Sequence, residues 1–188
     1  MSGSGIEPGS DRGNVAIAWD LPDPFTIDLV VGEGDIDHLG HTNNTVYHVW
    51  CERVAWAHSA AVGLDPQAWK SLERAMAMRS SQALFLAPSF LGDEVRVGNW
   101  LVACDGRLRA TRRFQVVRMS DGVTLMRAQS EWVCIDIATG RPKRMPEEFR
   151  RAYLVEPAVG EALARERARP FGLGGPGAAR AAGSRAPG

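Results

Sequence analysis

Apolar and polar side chains alternate along several parts of the chain and recur at helical spacing in another. Alternation with a period of two is typical of a strand with one buried face. It predicts five strands, over residues 25–31, 75–86, 93–103, 107–118 and 123–137. Apolar residues at steps of three and four predict one long helix over residues 46–62. Its predicted buried face consists of Val46, Val49, Trp50, Val54, Ala57 and Ala61.

Residues that start or stop helices support these boundaries. Asn43 or Asn44 could cap the long helix, because an amide oxygen accepts from the free backbone N–H groups at a helix start. Gly63 stands where a glycine commonly ends a helix. Proline at a first helical turn predicts two short helices, over residues 67–72 and 147–152.

The order of these elements predicts the fold class. Four strands follow one another after the first two helices, which indicates an antiparallel sheet. The long helix is apolar over much of its surface, so the sheet has to curl around it. We therefore expect an α+β protein with an antiparallel sheet wrapped around one long central helix.

The two ends differ in composition from the middle of the chain. Residues 1–20 begin with glycine, serine and charged residues and are predicted to be a flexible N-terminal segment. Residues 157–188 are predicted to be a disordered tail. From about residue 165 they are rich in glycine, alanine, proline and arginine, which bury too little to offset the entropy of ordering. The predicted folded domain is residues 21–156.

Charge and cysteine content narrow the class of protein. The 22 basic and 22 acidic residues give a formal net charge of zero, whereas binding to nucleic acid or an anionic membrane requires a basic excess. No apolar run approaches the roughly 20 residues of a membrane-spanning helix, and the start shows no secretory pattern. Cys51, Cys104 and Cys134 are scattered, as is typical of reduced thiols. We expect a soluble cytoplasmic protein with no nucleic-acid or membrane partner.

The densest polar stretch, GDIDHLGHTNN at residues 34–44, lies where the first strand meets the long helix. Asp37 precedes the helix N-terminus, whose free N–H groups carry partial positive charge. Those donors could polarise a thioester carbonyl while the carboxylate attacks it or activates a water. Gly40 would let the backbone approach a substrate closely. Asp37 could also be a cap or turn residue, and Asp35, pointing to the opposite side, is the better candidate for a purely structural role.

Other chemistries have less support in the sequence. His38 and His41 have an H-x-x-H spacing, and His48 lies one helical turn before Glu52, but zinc requires three or four converging ligands. His58 is nearly three turns beyond His48, too far to share an ion with it. Activated serine chemistry lacks its G-x-S-x-G motif. A non-enzymatic binding module remains an alternative.

Basic side chains gather around the fourth predicted strand. They are Arg107, Arg109, Arg112, Arg113 and Arg118, followed by Arg141, Lys143 and Arg144. The simplest expectation is a solvated strand face. The alternative is contact with the phosphates of coenzyme A, since guanidinium groups pair well with phosphate.

The segment GDIDHLGHTNNTVYHVWCERVAWAH resembles the 4-hydroxybenzoyl-CoA thioesterase-like branch of the hotdog-fold acyl-CoA thioesterases. That branch shows D-x-D-x-x-G-H-V-N-N-x-x-Y and an acidic residue in the following helix. The matching positions are Asp35, Asp37, Gly40, His41, Asn43, Asn44, Tyr47 and Glu52. Residues 86–93 are similar to the P-x-x-x-G-D turn of the same proteins, and Thr42 stands where relatives usually have valine. The resemblance covers about residues 24–153.

This resemblance implies a hotdog fold and hydrolysis of an acyl-CoA or acyl-carrier-protein thioester. It implies that Asp37 is the catalytic carboxylate, as nucleophile or general base, and that the backbone N–H of Asn44 polarises the carbonyl. The residues expected to bind substrate or support the site are Gly40, His41, Asn43, Tyr47 and Glu52. A homodimer or homotetramer with the site at the dimer interface is expected, with no metal or cofactor. The alternative is a hotdog protein that binds acyl-CoA, or acts as a scaffold, without catalysis.

Overall fold

One antiparallel sheet of five strands forms the centre of the structure. The computed structural model describes residues 15–166. The strands are β1 (Phe25–Val30), β2 (Arg74–Phe85), β3 (Glu94–Cys104), β4 (Arg109–Arg118) and β5 (Thr124–Asp136). Their order across the sheet is β1-β3-β4-β5-β2, so β1 and β2 are its two edges. The five predicted strands and their antiparallel pairing are therefore confirmed.

Four α-helices complete the fold within residues 15–166. They are α1 (Asn44–Ala61), α2 (Pro66–Leu72), α3 (Glu147–Ala152) and α4 (Pro157–Glu166). The long helix α1 packs on one face of the sheet, and Val54 of the helix belongs to the same buried core as Val97 and Leu125 of the strands. This arrangement confirms the predicted α+β class. No helix within residues 15–166 is long and apolar enough to span a membrane.

The buried face of α1 agrees with the predicted one at Trp50 and Val54 and differs from it elsewhere. The buried residues are Tyr47, Trp50, Cys51, Val54, Ala55 and Ser59, whereas Val49 is 53% exposed. Large apolar residues occur on both faces of the helix, so hydrophobic spacing alone did not distinguish them. Burying Tyr47 and Trp50 removes large aromatic surfaces from water. Burying the hydroxyls of Tyr47 and Ser59 is tolerated because each is hydrogen-bonded, at 2.8 and 2.9 Å.

The face of the sheet opposite α1 is covered by both ends of the described chain. Leu21, Trp100 and Val159 form a buried cluster there, and Trp19 packs edge-on against Trp100 with ring centroids 5.7 Å apart. The ten residues of α4 overturn the prediction of a tail that is disordered from residue 157.

The apolar side chains of α4 that pack on this face recur at helical spacing, which explains why the segment folds there. They are Val159, Ala162 and Leu163. Within the predicted flexible segment, residues 15–20 contact the folded domain through Trp19 and through Asp20, which pairs with Arg127 at 2.5 Å. Residues 1–14 and 167–188, the rest of the two predicted flexible ends, lie outside the described residues.

The three cysteines are free thiols. Cys51 and Cys134 are buried, and Cys104 is half-buried. Burial raises the pKa of the Cys134 thiol to about 11 and that of Cys51 further still. These thiols are therefore packing groups rather than nucleophiles.

The edge strand β2 is exposed along its middle. Its residues Met78, Arg79, Ser80, Ser81 and Gln82 are all exposed, although successive side chains point to opposite faces. A register shift interrupts its pairing with β5 between Met78 and Ser80. An edge strand presents unpaired backbone groups on its outer side and is a template for pairing with another strand.

Candidate active site

The residues between β1 and α1 fold back on themselves into a short hairpin, here called the junction loop (residues 31–43). The backbone N–H of Asp37 donates to the carbonyl of His41 at 2.8 Å, and the N–H of Asn43 donates to the carbonyl of Asp35 at 2.8 Å. Gly40 closes the tip, because its N–H donates to the Asp37 carbonyl at 3.0 Å and its φ is +78°. Glycine adopts that backbone conformation without steric cost.

The carboxylate of Asp37 is held by this loop through one of its two oxygens. Oδ1 accepts from the N–H of Leu39 at 2.8 Å and from the more distant N–H of His41 at 3.4 Å. Oδ2 has no hydrogen-bond partner among residues 15–166, and the side chain is only half-buried. Asp37 therefore has the turn role that the sequence suggested. Only Oδ1 takes part in the turn, and Oδ2 is available to a substrate or a water.

The side chain of Asp35 makes a different contact, with the start of the junction loop. Its Oδ2 accepts from the N–H of Gly32 at 2.9 Å and thereby closes the short 3-10 turn at Glu33–Asp35. This contact supports the purely structural role that alternation of side chains predicted for Asp35.

The start of α1 offers a backbone donor close to the end of the loop. Asn43 is the N-cap, and its side-chain oxygen accepts from the N–H of Thr45 at 2.9 Å and from the Thr45 hydroxyl at 2.7 Å. The N–H of Asn44, the first residue of the helix, has no acceptor within the described part of the chain. Free N–H groups at a helix N-terminus favour negative charge, so Asn44 can donate to a developing oxyanion.

Three buried hydroxyls connect the junction loop to α1 and to the loop between β2 and β3. Ser89 Oγ lies 2.7 Å from Thr42 Oγ1 and 2.8 Å from the hydroxyl of Tyr47. The N–H of Thr42 also donates to the Ser89 carbonyl at 2.9 Å. Burial raises the pKa of Tyr47, so its hydroxyl is protonated at neutral pH. Tyr47 is one of the predicted supporting residues, whereas no local sequence pattern indicates this role for Ser89 or Thr42.

The remaining predicted site residues are less closely engaged. His41 packs edge-on against Phe90, with ring centroids 5.2 Å apart. Glu52 is exposed on α1, two helical turns beyond Asn44, and is not in contact with Asp37. Its role remains a prediction. No group of three or more histidine, cysteine or acidic side chains within residues 15–166 is arranged to hold a metal ion.

Large apolar side chains are exposed on the segments that form the site. This apolar rim consists of Leu39, Val49, Phe85, Leu86, Phe90 and Leu91. The ring of Phe85 contacts Tyr47 and that of Phe90 contacts His41, so the rim adjoins the junction loop. Clustered exposed apolar side chains of this kind mark ligand or protein contact sites.

The arginines around β4 form the expected solvated strand face only in part, since Arg107 and Arg109 are exposed but the others are buried or paired. Arg112 is 3% exposed and lies between the sheet and α1. Arg113 pairs with Glu166 of α4 at 2.6 Å, and Arg118 pairs with Asp121 at 2.8 Å. The sequence places Arg112 and Arg113 on opposite faces but does not show which face is buried.

Comparisons with known proteins agree with this architecture. The Thioesterase-like superfamily matches residues 31–153, whereas no curated protein matches the chain. A 1,4-dihydroxy-2-naphthoyl-CoA thioesterase from Synechocystis is 20% identical with a TM-score of 0.63, over 70% of this chain and 96% of its own. A Staphylococcus aureus protein solved in complex with CoA is 18% identical with a TM-score of 0.64, over 92% of this chain and 100% of its own.

A third similar structure is the Dynemicin thioesterase, solved in a study of polyene binding. It is 25% identical with a TM-score of 0.61, over 70% of this chain and 95% of its own. The superfamily match spans the junction loop, α1 and the whole of the sheet after β1. The chain therefore belongs to the thioesterase-like superfamily and is a hotdog-fold thioesterase.

Proposed function

We propose that the protein hydrolyses an acyl-CoA thioester, with Asp37 as the catalytic carboxylate and the Asn44 N–H as a donor to the carbonyl oxygen. The observation that carries the proposal is that the two carboxylate oxygens of Asp37 have different surroundings. Oδ1 is held by the Leu39 N–H, and Oδ2 has no partner among residues 15–166. The free N–H of Asn44 follows the same loop. Thioester hydrolysis requires both groups, a base or nucleophile and an oxyanion donor.

The reaction has two possible routes at this carboxylate. As a general base, Oδ2 would take a proton from water while the water oxygen bonds to the acyl carbon. As a nucleophile, Oδ2 would bond to the acyl carbon and release the thiolate, and water would then hydrolyse the anhydride. In both routes the C–S bond breaks, the thiolate gains a proton, and the carbonyl oxygen carries negative charge near Asn44.

The other residues of the site would position these two groups. Gly40 sets the turn that holds Asp37, and Asn43 caps the helix that presents Asn44. Tyr47 anchors the first turn of α1 through Ser89. His41 would support the loop through its contact with Phe90.

The CoA portion of the proposed substrate rests on similarity, since the structure of the Staphylococcus aureus protein was solved with CoA. Arg107 and Arg109 are exposed on the chain and could meet its phosphates. Three free thiols suit a reducing compartment, so the cytoplasm is the proposed location.

We further propose that the protein is a homodimer that pairs β2 with β2 of a second copy. The middle of β2 is exposed on both faces, and pairing would satisfy its outer backbone groups. The apolar rim beside the site would then face a second subunit, which would help to enclose the acyl group.

The test is thiol release measured with a thiol-reactive dye across short, long, branched and aromatic acyl-CoAs. Asp37→Asn should lower turnover by on the order of 100- to 10,000-fold, the range for losing a positioned base. Asp35→Asn is the matched control, because it changes a second carboxylate of the junction loop whose only side-chain contact closes a turn, and it should retain most of the activity.

The outcomes separate the alternatives. Near-full activity of Asp37→Asn would refute the assigned role of this carboxylate. Saturable binding of acyl-CoA without thiol release from any acyl-CoA or acyl-carrier protein would instead establish the non-catalytic binding protein.

A further inference from the structure

The inner face of β2, the face that points towards α1, can be identified from the residues that pair with it on β5. Directly opposite residues of two antiparallel strands point to the same face of a sheet. The β2 residues opposite buried side chains of β5 are Met78, Ser81, Ala83 and Phe85. Their buried partners are Trp132, Ser130, Ala128 and Met126. All of these partners except the serine belong to the core that includes Val54 of α1.

This inner face is covered over β5 but open over β2. Met78 and Phe85 are each 42% exposed, and between them Ser81 is exposed and Ala83 is half-buried. Ser81 and Phe85 are separated by roughly 13 Å along the strand. Because two small side chains lie between two large ones, the open part of the face is a depression.

One side of α1 borders this depression. The ring of His48 contacts the ring of Phe85, with centroids 6.2 Å apart. Glu52 and Trp56 follow His48 at steps of four and therefore lie on the same side of the helix. Trp56 and Met76 of β2 line one small cavity, so the helix and the strand come together at both ends. The space between these ends, here called the trough, is bounded by Glu52, Met78, Ser81, Ala83 and Phe85.

The trough begins beside the candidate active site. Asn44, whose backbone N–H is the proposed donor to the carbonyl oxygen, is one step of four before His48 and lies on the same side of α1. Phe85 also packs against the ring of Tyr47, with centroids 5.7 Å apart. A thioester carbonyl held at the Asn44 N–H would therefore have the trough directly in front of its acyl group.

The trough is apolar along β2 and negatively charged on the side of α1. Of the residues that bound it, only Glu52 is charged. The Glu52 carboxylate has no hydrogen bond or ion pair with another residue of the described chain. A carboxylate that is not neutralised repels a second negative charge placed within a few ångströms of it.

We propose that the trough holds the acyl group of the substrate and selects an uncharged acyl group over one that ends in a carboxylate. This inference rests on the proposed thioester hydrolysis, because it names the substrate class of that same site. Phe85, Ala83 and Met78 supply apolar contact, and Glu52 repels an anionic end group. Ala83 limits the size of the acyl group, since a larger side chain there would fill the depression. The second copy proposed at β2 would enclose the open side of the trough.

Thiol release from hexanoyl-CoA and glutaryl-CoA tests the charge preference, because these acyl groups are similar in length and differ by a terminal carboxylate. We expect kcat/KM to be at least about tenfold higher for hexanoyl-CoA. Glu52→Gln keeps the size of the side chain and removes its charge. It should raise the ratio of glutaryl-CoA to hexanoyl-CoA turnover about tenfold. An equal ratio in wild type and Glu52→Gln would overturn the proposal.

Ala83→Leu tests where the acyl group lies. It should lower the ratio of hexanoyl-CoA to acetyl-CoA turnover by about tenfold or more, the range for a changed fit in an apolar pocket. Gln82→Leu is the matched control, because it adds the same side chain to the opposite face of β2, and it should leave the ratio as in wild type. The same ratio in Ala83→Leu and Gln82→Leu would place the acyl group elsewhere.

Dependence on Asp37 separates this inference from the proposed function. Thiol release that is lost in Asp37→Asn, but whose substrate ratios are unchanged in Glu52→Gln and Ala83→Leu, would establish hydrolysis and overturn the trough. If no thioester is hydrolysed, calorimetric titration with hexanoyl-CoA gives the answer for the trough alone. Weaker binding by Ala83→Leu than by Gln82→Leu would support the trough, and equal or absent binding would overturn it.

Discussion

The hydroxyl of Tyr47 lies 2.8 Å from Ser89 Oγ, although the two residues are 42 positions apart in the chain. This contact connects the first turn of α1 to the loop between β2 and β3. Through Thr42, the same serine also holds the junction loop that carries Asp37. One buried serine therefore fixes the relative position of the proposed base and the proposed oxyanion donor.

Replacing this serine should reduce both stability and activity. Ser89→Ala leaves the buried hydroxyls of Thr42 and Tyr47 without their shared partner, which should lower the free energy of unfolding by about 1–3 kcal/mol. It should also lower kcat more than it raises KM, because the loop and the helix lose their common support. Urea denaturation and thiol release measure the two effects. Ser120→Ala, at an exposed position between β4 and β5, is the control, and equal effects of the two substitutions would contradict the argument.

Acid should weaken the fold through His58. Burial and the nearby Arg112 lower its pKa to about 4 in the folded protein, against an ordinary value of 6.5, so below pH 6.5 the unfolded chain binds a proton that the folded protein does not. The contribution of neutral His58 to the free energy of unfolding is complete above pH 6.5. It falls as the pH decreases to about 4 and then levels off. His58→Asn keeps an acceptor near Arg112 but cannot be protonated.

Melting temperatures between pH 7.5 and pH 4 measure this effect. The wild type should lose more stability than His58→Asn across that interval, because carboxylate contributions are common to both proteins. Parallel curves would show that His58 is free to take up a proton in the folded state.

A methyl group at Gly98 should disturb the packing of the segment before β1 against the outer face of the sheet. An ideal Cβ there would lie 2.6 Å from Trp19 Cζ3 and 3.2 Å from Pro24 Cβ. Gly98→Ala should therefore destabilise the protein by about 1–3 kcal/mol, as overpacking does. Gly160→Ala is the matched control, since a Cβ meets nothing within 4 Å in α4 and alanine favours a helix. A stable Gly98→Ala would mean that Trp19 leaves that position at little cost.

The proposed dimer should depend on the exposed middle of β2. Light scattering should give twice the monomer mass for the wild type. Ser81→Lys should shift the protein towards monomer, because like charges meet when two copies of a strand pair about a twofold axis. Val123→Lys adds the same charge in the loop between β4 and β5 and should leave the dimer intact. A wild-type monomer at high concentration would exclude this assembly.

The features that could be predicted from the sequence were those set by neighbouring residues. Period-two alternation identified all five strands, because it reports burial of one face. The Asp37–Gly40 turn and the Asn43 cap also depend on hydrogen bonds across a few residues. The contact of Thr42 with Ser89 spans 47 positions, and no local pattern records it.

The errors have a common physical origin. The face of α1 was misjudged because Val49 and Tyr47 are both apolar enough to be buried, and distant partners decided between them. Arg112 was expected on the surface because an isolated arginine is rarely buried. Helix α4 was missed because its few apolar residues cover only a narrow patch around Trp100.

The cover that α4 and residues 15–21 place over β3 also limits how the proposed dimers could assemble further. Two dimers can stack sheet against sheet only where the outer face of each sheet is not covered by other parts of the chain. Here Leu21, Trp100 and Val159 are already enclosed by the chain itself, so that route to a tetramer is blocked over β3. Any larger assembly would have to join dimers through their helical sides or through the part of the outer face that lies over β5 and β2.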